Sequence, residues 1–224
     1  MLADRIADIE RNIQQACARV GRARSEVTLV AVTKTQAVSV INDAIGLNLT
    51  DIGENRVQEY LAKRADLLPH RFHMIGHLQR NKVRQIIGLP VLIHSVDTLD
   101  LAAEINKRSQ SLGIVTEVLL EVNTSGEISK EGVSPDNLEE LAVAVRQLEA
   151  VRLRGLMTVA AFEDAERLRP AFRLLSVLRS ELQRSFHDAA ISELSMGMTN
   201  DYQVAIEEGA TIIRIGSAIF GPRQ

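Results

Sequence analysis

A chain of 224 residues, 46% hydrophobic and 25% charged, is long enough for a core of its own and has a globular balance, which excludes disorder and collagen-like repeats. Its 26 basic and 29 acidic residues leave a net charge of −3, and 3% of residues are aromatic, so both charge and stacking capacity argue against nucleic-acid binding. The single Cys17 excludes an internal disulfide and a multi-thiolate metal site; with no apolar run near the ~20 residues of a membrane span and no secretory leader in MLADRIADIER, a cytoplasmic, membrane-free protein is expected.

The first predicted element is a helix over 2–20, where Leu2, Ile6, Ile9, Ile13, Ala16 and Val20 recur at spacings of three and four before Gly21. Val27–Thr33 then reads as a strand covered on both faces, because it is nearly continuous in apolar and β-branched residues. Further strands are expected at 48–52, 72–75, 91–96, 115–122, 152–158, 191–196 and 211–215. Helices are expected between them at 36–45, 55–67, 79–87, 99–111, 135–147, 165–186 and 201–208. The strands number eight, each but the last followed by a helix, and no Pro/Gly/Ser-rich linker divides the chain. Strict alternation predicts a parallel sheet. Eight such units favour one domain over 1–224, an α/β single-domain (β/α)8 TIM barrel with an extra N-terminal helix. The rival, an open doubly wound sheet, lacks its dinucleotide fingerprint: the first strand runs into Thr33-Lys34-Thr35 and not a glycine-rich turn.

In a barrel the active site lies at the C-terminal strand ends. Lys34 stands there, after a run of buried residues, so its amine is expected at the barrel mouth. A lysine stripped of water is a nucleophile toward carbonyls. A structural pairing with a barrel carboxylate such as Glu121 or Asp97 is the other reading, and both stay open. Lys63, Lys82 and Lys107 fall on predicted helices and are read as solvated; Lys130, in the polar loop SGEISKEG, is a second candidate. The seventh and eighth strand ends carry Ser195, Gly197, Thr199-Asn200-Asp201, Gly216 and Ser217, which together suit an anion: close backbone approach, hydroxyl donors and a capped helix start. Arg214 lies inside the apolar run TIIRIGSAIF, so its guanidinium is expected to be buried and to need partners. The five histidines show no metal-binding spacing, and no nucleophile elbow is present.

These segments together resemble one family. LVAVTKTQ (29–36), GENRVQEY (53–60), FHMIGHLQRNKVR (72–84), HSVDT (94–98), EVNTSGEISKEGV (121–133), RGLMTV (154–159), LSMGMTNDYQVAIEEGAT (194–211) and RIGSAIFG (214–221) occur in the order found in the pyridoxal-phosphate homeostasis proteins, the YggS/PROSC-type family. The resemblance implies a barrel like the N-terminal domain of alanine racemase and a pyridoxal 5′-phosphate cofactor held by Lys34 as an aldimine. It implies a phosphate cradle of Ser195, Gly197, Met198, Gly216 and Ser217, with Arg214 at the pyridine nitrogen and Asn55 near the ring. Three departures stand out: His77 replaces the proline of an IGPLQ motif, Arg80 a serine, and Thr199 and Ser217 exchange serine and threonine.

Arg214 opposite the pyridine nitrogen would disfavour a protonated ring, weakening it as an electron sink. Racemisation also needs a second base, which alanine racemase takes from a tyrosine of another domain. Here the sequence stops after the barrel and has only Tyr60 and Tyr202, both on predicted helices. A non-catalytic carrier that buffers and delivers the cofactor, a monomer with apo forms of pyridoxal-phosphate enzymes as partners, is therefore the expected function. The alternatives are a weakly active amino-acid racemase and a cofactor-free aldolase-type barrel using Lys34.

Overall fold

The isoleucine spacing at the start of the chain folds as α1 (Leu2–Arg19), with Ile6, Ile9, Ile13, Ala16 and Cys17 buried on one face. The computed structural model describes residues 1–127, 131–160 and 163–221. Eight strands follow: β1 (Thr28–Val32), β2 (Asp51–Glu54), β3 (Arg71–Met74), β4 (Leu92–Val96), β5 (Thr116–Glu121), β6 (Val151–Met157), β7 (Glu193–Ser195) and β8 (Ile212–Ile215). Each pairs in parallel with the next, and β8 pairs with β1 at Thr28↔Ile212 through Ala31↔Ile215, so the sheet is a closed barrel. The expected (β/α)8 barrel with an extra N-terminal helix is thus the observed fold.

The outer helices are α2 (Val38–Gly46), α3 (Val57–Lys63), α4 (Val83–Ile86), α5 (Leu99–Leu112), α6 (Leu138–Arg146), α7 (Ala165–Phe186), α8 (Tyr202–Glu207) and α9 (Ser217–Phe220). Between helices and strands lies the main core, whose fully buried members include Ile41, Phe72, Ile105 and Phe172. Burying each such side chain contributes roughly 1.5–3 kcal/mol. A smaller cluster of Val30, Leu92, Leu119, Met157 and Ile212 fills the barrel itself. α1 packs on α8 and α9, where Asn12 Nδ2 donates to the Tyr202 hydroxyl (3.1 Å).

Two departures from the sequence-based elements have a plain physical cause. The second strand begins at Asp51, not Asn48, because Asn48 takes a left-handed φ of 69° as the chain leaves α2. The last strand is followed by a helix, α9, whose four residues are too few to show a helical period. Among the described residues no helix is long and apolar enough to cross a membrane.

Gly155 and Gly197 are among the glycines whose positions leave no room for a side chain. Between Val118↔Leu153 and Leu119↔Gly155 the register shifts by one residue, bulging β6 at Arg154. A Cβ on Gly155 would stand 1.9 Å from the Glu193 carbonyl oxygen on β7. Gly197, at φ 94°, turns the chain out of β7 so closely over α8 that a Cβ would meet Ala205 Cβ at 2.6 Å.

Candidate functional site

β1 delivers Lys34 to the mouth of the barrel, and its two neighbours are both tied to one charged cluster. Thr33 donates through Oγ1 to Glu54 Oε1 (2.8 Å), and its carbonyl accepts from Lys63 Nζ (3.1 Å). Thr35, at a left-handed φ of 66°, donates its N–H to Glu59 Oε1 (2.5 Å). Lys63 closes the cluster on Glu54 Oε1 (3.1 Å) and Glu59 Oε1 (2.7 Å). Burial pushes the Glu54 carboxyl up, with Lys63 opposing. Lys63, expected to be solvated, is instead largely buried and fixes the backbone on either side of Lys34. The signal available in the sequence was its i,i+4 spacing from Glu59 on α3.

Lys34 lines a cavity of about 340 Å³ together with Val32, Met198, Arg214, Gly216 and Ser217. That volume lies within the range of roughly 300–1,000 Å³ typical of small-molecule sites. Thr199 and Asn200 border it as well. Thr199 Oγ1 accepts from Ser217 Oγ (3.2 Å), joining the loop after β7 to the start of α9. The starts of α8 and α9 lie beside this loop: the Tyr202 N–H donates to the Met198 carbonyl (2.9 Å) and the Ala218 N–H to Thr199 Oγ1 (3.4 Å).

Arg214 is buried, as its apolar surroundings predict. Its Nη1 donates to Ser195 Oγ (2.5 Å) and its Nη2 to the Thr158 carbonyl (2.8 Å). Burial lowers its pKa to about 10, against the support of Glu121 and Asp201, so it remains a cation at neutral pH. Ser195 Oγ lies 2.8 Å from His94 Nδ1; His94 Nε2 lies 3.0 Å from His73 Nδ1; His73 Nε2 lies 2.8 Å from Asp51 Oδ1. Burial, with the neighbouring Arg214 guanidinium, holds the His94 pKa well below the usual imidazole value.

Of the residues expected at the cofactor, Lys34, Met198, Arg214, Gly216 and Ser217 share this cavity, whereas Ser195, Gly197 and Asn55 do not line it. Ser195 is fully buried, and its hydroxyl is bonded to Arg214 and His94, where it anchors the guanidinium. Gly197 serves the turn against α8, and its carbonyl accepts from the Arg214 N–H (2.9 Å). The Met198 N–H is held by Asp201 Oδ1 (2.5 Å), which leaves the apolar side of Met198 as its contribution. Lys130 lies outside the described residues.

Asn55 lines an adjoining cavity of about 290 Å³ with Ile75, Gly76, His77, Glu121 and Glu131. His77 is half exposed there, its Nδ1 3.3 Å from Glu131 Oε1. Burial and the negative charges of Glu131 and Asp97 push Glu121 from 4.5 to about 7, with Arg214 opposing. Folded Glu121 therefore keeps a proton that the unfolded chain releases, and its contribution to stability falls as pH rises from about 4.5 to 7. The difference corresponds to at most about 3 kcal/mol. Glu121→Gln is expected to resist urea better than the wild type above pH 7, with the advantage gone below pH 4.5; an equal advantage at both pH values would contradict this.

The family described as "Alanine racemase, N-terminal domain" matches residues 5–224. The pyridoxal phosphate homeostasis protein of Aquifex aeolicus is 46% identical over 224 residues, covering 99% of this chain and 98% of that one. That of Pseudomonas aeruginosa is 41% identical, covering 100% and 96%. The structure of PipY from Synechococcus elongatus with PLP bound superposes with a TM-score of 0.85 at 33% identity, over 99% of this chain and 100% of that one. An alanine racemase of Clostridium difficile shares the fold alone, at a TM-score of 0.75 and 16% identity, with 98% of this chain matching 57% of that one.

Proposed function

Since the chain belongs to the alanine racemase N-terminal-domain family and, within it, to the pyridoxal phosphate homeostasis proteins, we propose that residues 1–224 serve as one domain that binds pyridoxal 5′-phosphate, holds it through Lys34 and delivers it to other proteins. The observation that carries this reading is the single cavity that unites the Lys34 amine with the Arg214 guanidinium beside the openings of α8 and α9. The residues present fit the group: an amine for its aldehyde, a cation for its ring nitrogen, and Gly216, Ser217, Thr199 and the first N–H groups of α9 for its phosphate. When bound, pyridoxal phosphate supplies an aldehyde that bonds amines reversibly and, with a protonated ring, an electron sink.

Arg214 acts against that second property. A guanidinium that keeps its proton to about pH 10 disfavours a second positive charge beside it and leaves the ring nitrogen as a hydrogen-bond acceptor. Lys34 binds and releases the cofactor, and the cluster behind Thr33 and Thr35 holds its backbone for repeated cycles. Neither tyrosine borders the cavity as a second base. Tyr60 stacks on Phe72 with ring centroids 3.5 Å apart and bonds His70 Nε2 (3.0 Å), and Tyr202 is buried against α1. These placements support a cofactor carrier over a racemase. In this reading the chain works in the cytoplasm as a monomer, with apo forms of pyridoxal-phosphate enzymes as recipients.

The test loads the protein with pyridoxal phosphate and mixes it with an apo enzyme while a phosphatase destroys free cofactor. Reactivation of the recipient is expected, together with α-hydrogen exchange of alanine no faster than with free pyridoxal phosphate. No reactivation, or alanine racemised at least about 100-fold faster than by the free cofactor, would overturn the reading.

A further inference from the structure

Four hydrogen bonds cross the inside of the barrel from the cofactor cavity to its opposite end. They run Arg214 Nη1 to Ser195 Oγ (2.5 Å), Ser195 Oγ to His94 Nδ1 (2.8 Å), His94 Nε2 to His73 Nδ1 (3.0 Å), and His73 Nε2 to Asp51 Oδ1 (2.8 Å). The two ends fix the direction. A guanidinium can only donate and an ionised carboxylate can only accept. With the Ser195 oxygen accepting from Arg214, its one hydroxyl proton goes to His94 Nδ1. His94 then carries its proton on Nε2 and gives it to His73 Nδ1, which leaves the His73 proton on Nε2, facing Asp51. Every group is satisfied, every donor points the same way, and neither histidine needs a charge. The burial that keeps His94 neutral agrees with this arrangement.

We infer that Asp51, acting through His73, His94 and Ser195, is a positioning residue for Arg214, setting the orientation of the guanidinium from the far end of the barrel. The inference rests on the reading that Arg214 faces the ring of the bound cofactor. Among the described residues, Ser195 is the only side chain that Arg214 bonds, its other acceptor being the Thr158 carbonyl. The Ser195 hydroxyl could rotate if His94 did not hold it, and His94 could exchange its tautomer if His73 did not. Asp51 ends the series as its only full negative charge, and its second partner, Arg71 Nε at 3.2 Å, lies toward solvent. The far end is also open to small molecules: His73 and Arg71 line a cavity of about 160 Å³ with Glu117, Arg154 and Glu193, at the N-terminal ends of the strands. Asp51 sits at the first residue of β2 and is partly exposed, so its replacement leaves the apolar barrel filling untouched.

Two experiments test the inference, and one needs no cofactor. In the cofactor-free protein, long-range 15N–1H correlation spectra read the tautomers of His73 and His94. Both are expected in the Nε2–H form near neutral pH; a charged or Nδ1–H form of either would overturn the proposal, whether or not the cofactor reading holds. In the loaded protein, Asp51→Ala is expected to shift the cofactor absorption maximum and weaken binding about tenfold, the usual size for a lost buried acceptor. Asp51→Asn keeps an acceptor oxygen and should restore both to within about twofold of wild type. Glu117→Gln, which changes a charge in the same cavity but outside the series, should change neither. Unchanged binding and spectrum in a folded Asp51→Ala would overturn the proposal, as would an equal shift in Glu117→Gln. Should Asp51→Ala fail to fold, the wild-type tautomers and Asp51→Asn still decide.

Discussion

Lys34→Ala protein is expected to take up no covalently bound pyridoxal phosphate and to retain the free cofactor at least about 100-fold more weakly than wild type, a loss of about 2.7 kcal/mol or more. Among the described residues, the only amine lining the 340 Å³ cavity is that of Lys34. Its removal leaves Arg214 and the phosphate-facing groups in place, so weak, reversible binding should persist. The fold should survive, because Lys34 follows β1 at the half-buried mouth and is absent from both apolar clusters. Lys63→Ala is the matched control. That amine is spent on Glu54, Glu59 and the Thr33 carbonyl, so its loss should loosen the Lys34 backbone and speed cofactor release while the covalent linkage still forms. Absorption spectra and equilibrium dialysis of the two variants read the difference. A covalent adduct in Lys34→Ala would refute the assignment.

Gly155→Ala is expected to have the largest effect on the fold. The new Cβ would lie 1.9 Å from the Glu193 carbonyl oxygen and 2.8 Å from the Glu193 nitrogen, both backbone atoms of the neighbouring strand. No rotamer relieves such a clash, so β6 and β7 must separate at Gly155↔Glu193, one of only three paired positions between them. β7 is three residues long and ends in Ser195, the anchor of Arg214. Closure of the barrel and geometry of the site should therefore fail together. A cost of about 4 kcal/mol or more is expected, which for a chain of this length lowers Tm by roughly 10 °C or more. A Gly155→Ala protein melting within a few degrees of wild type would contradict the register described for β6 and β7.

The barrel was legible because most strands lie in short apolar runs and the longer outer helices keep their apolar spacing. Lys34 and Arg214 were legible for a related reason, since a charge at the end of one such run and another inside a second have few places to go. The polar series inside the barrel was not. Asp51, His73, His94 and Ser195 come from four strands, β2, β3, β4 and β7, and their meeting depends on barrel closure and on register such as Gly53↔His73 and His73↔Leu92. Taken singly, each looks like an ordinary core histidine, a strand-start carboxylate or a strand-end hydroxyl. Lys63 escaped for the opposite reason: a lysine on a helix is usually solvated, and only the fold brings it under the Thr33 carbonyl.

The central claim, that Lys34 is the residue through which this chain holds pyridoxal phosphate, is tested most directly by loading the wild-type protein, reducing it with borohydride and mapping the adduct by peptide mass spectrometry. The account predicts a visible absorption band that collapses on reduction and one modified peptide carrying the adduct on Lys34. A band that never forms, or an adduct on another lysine with Lys34 unmodified, would contradict it.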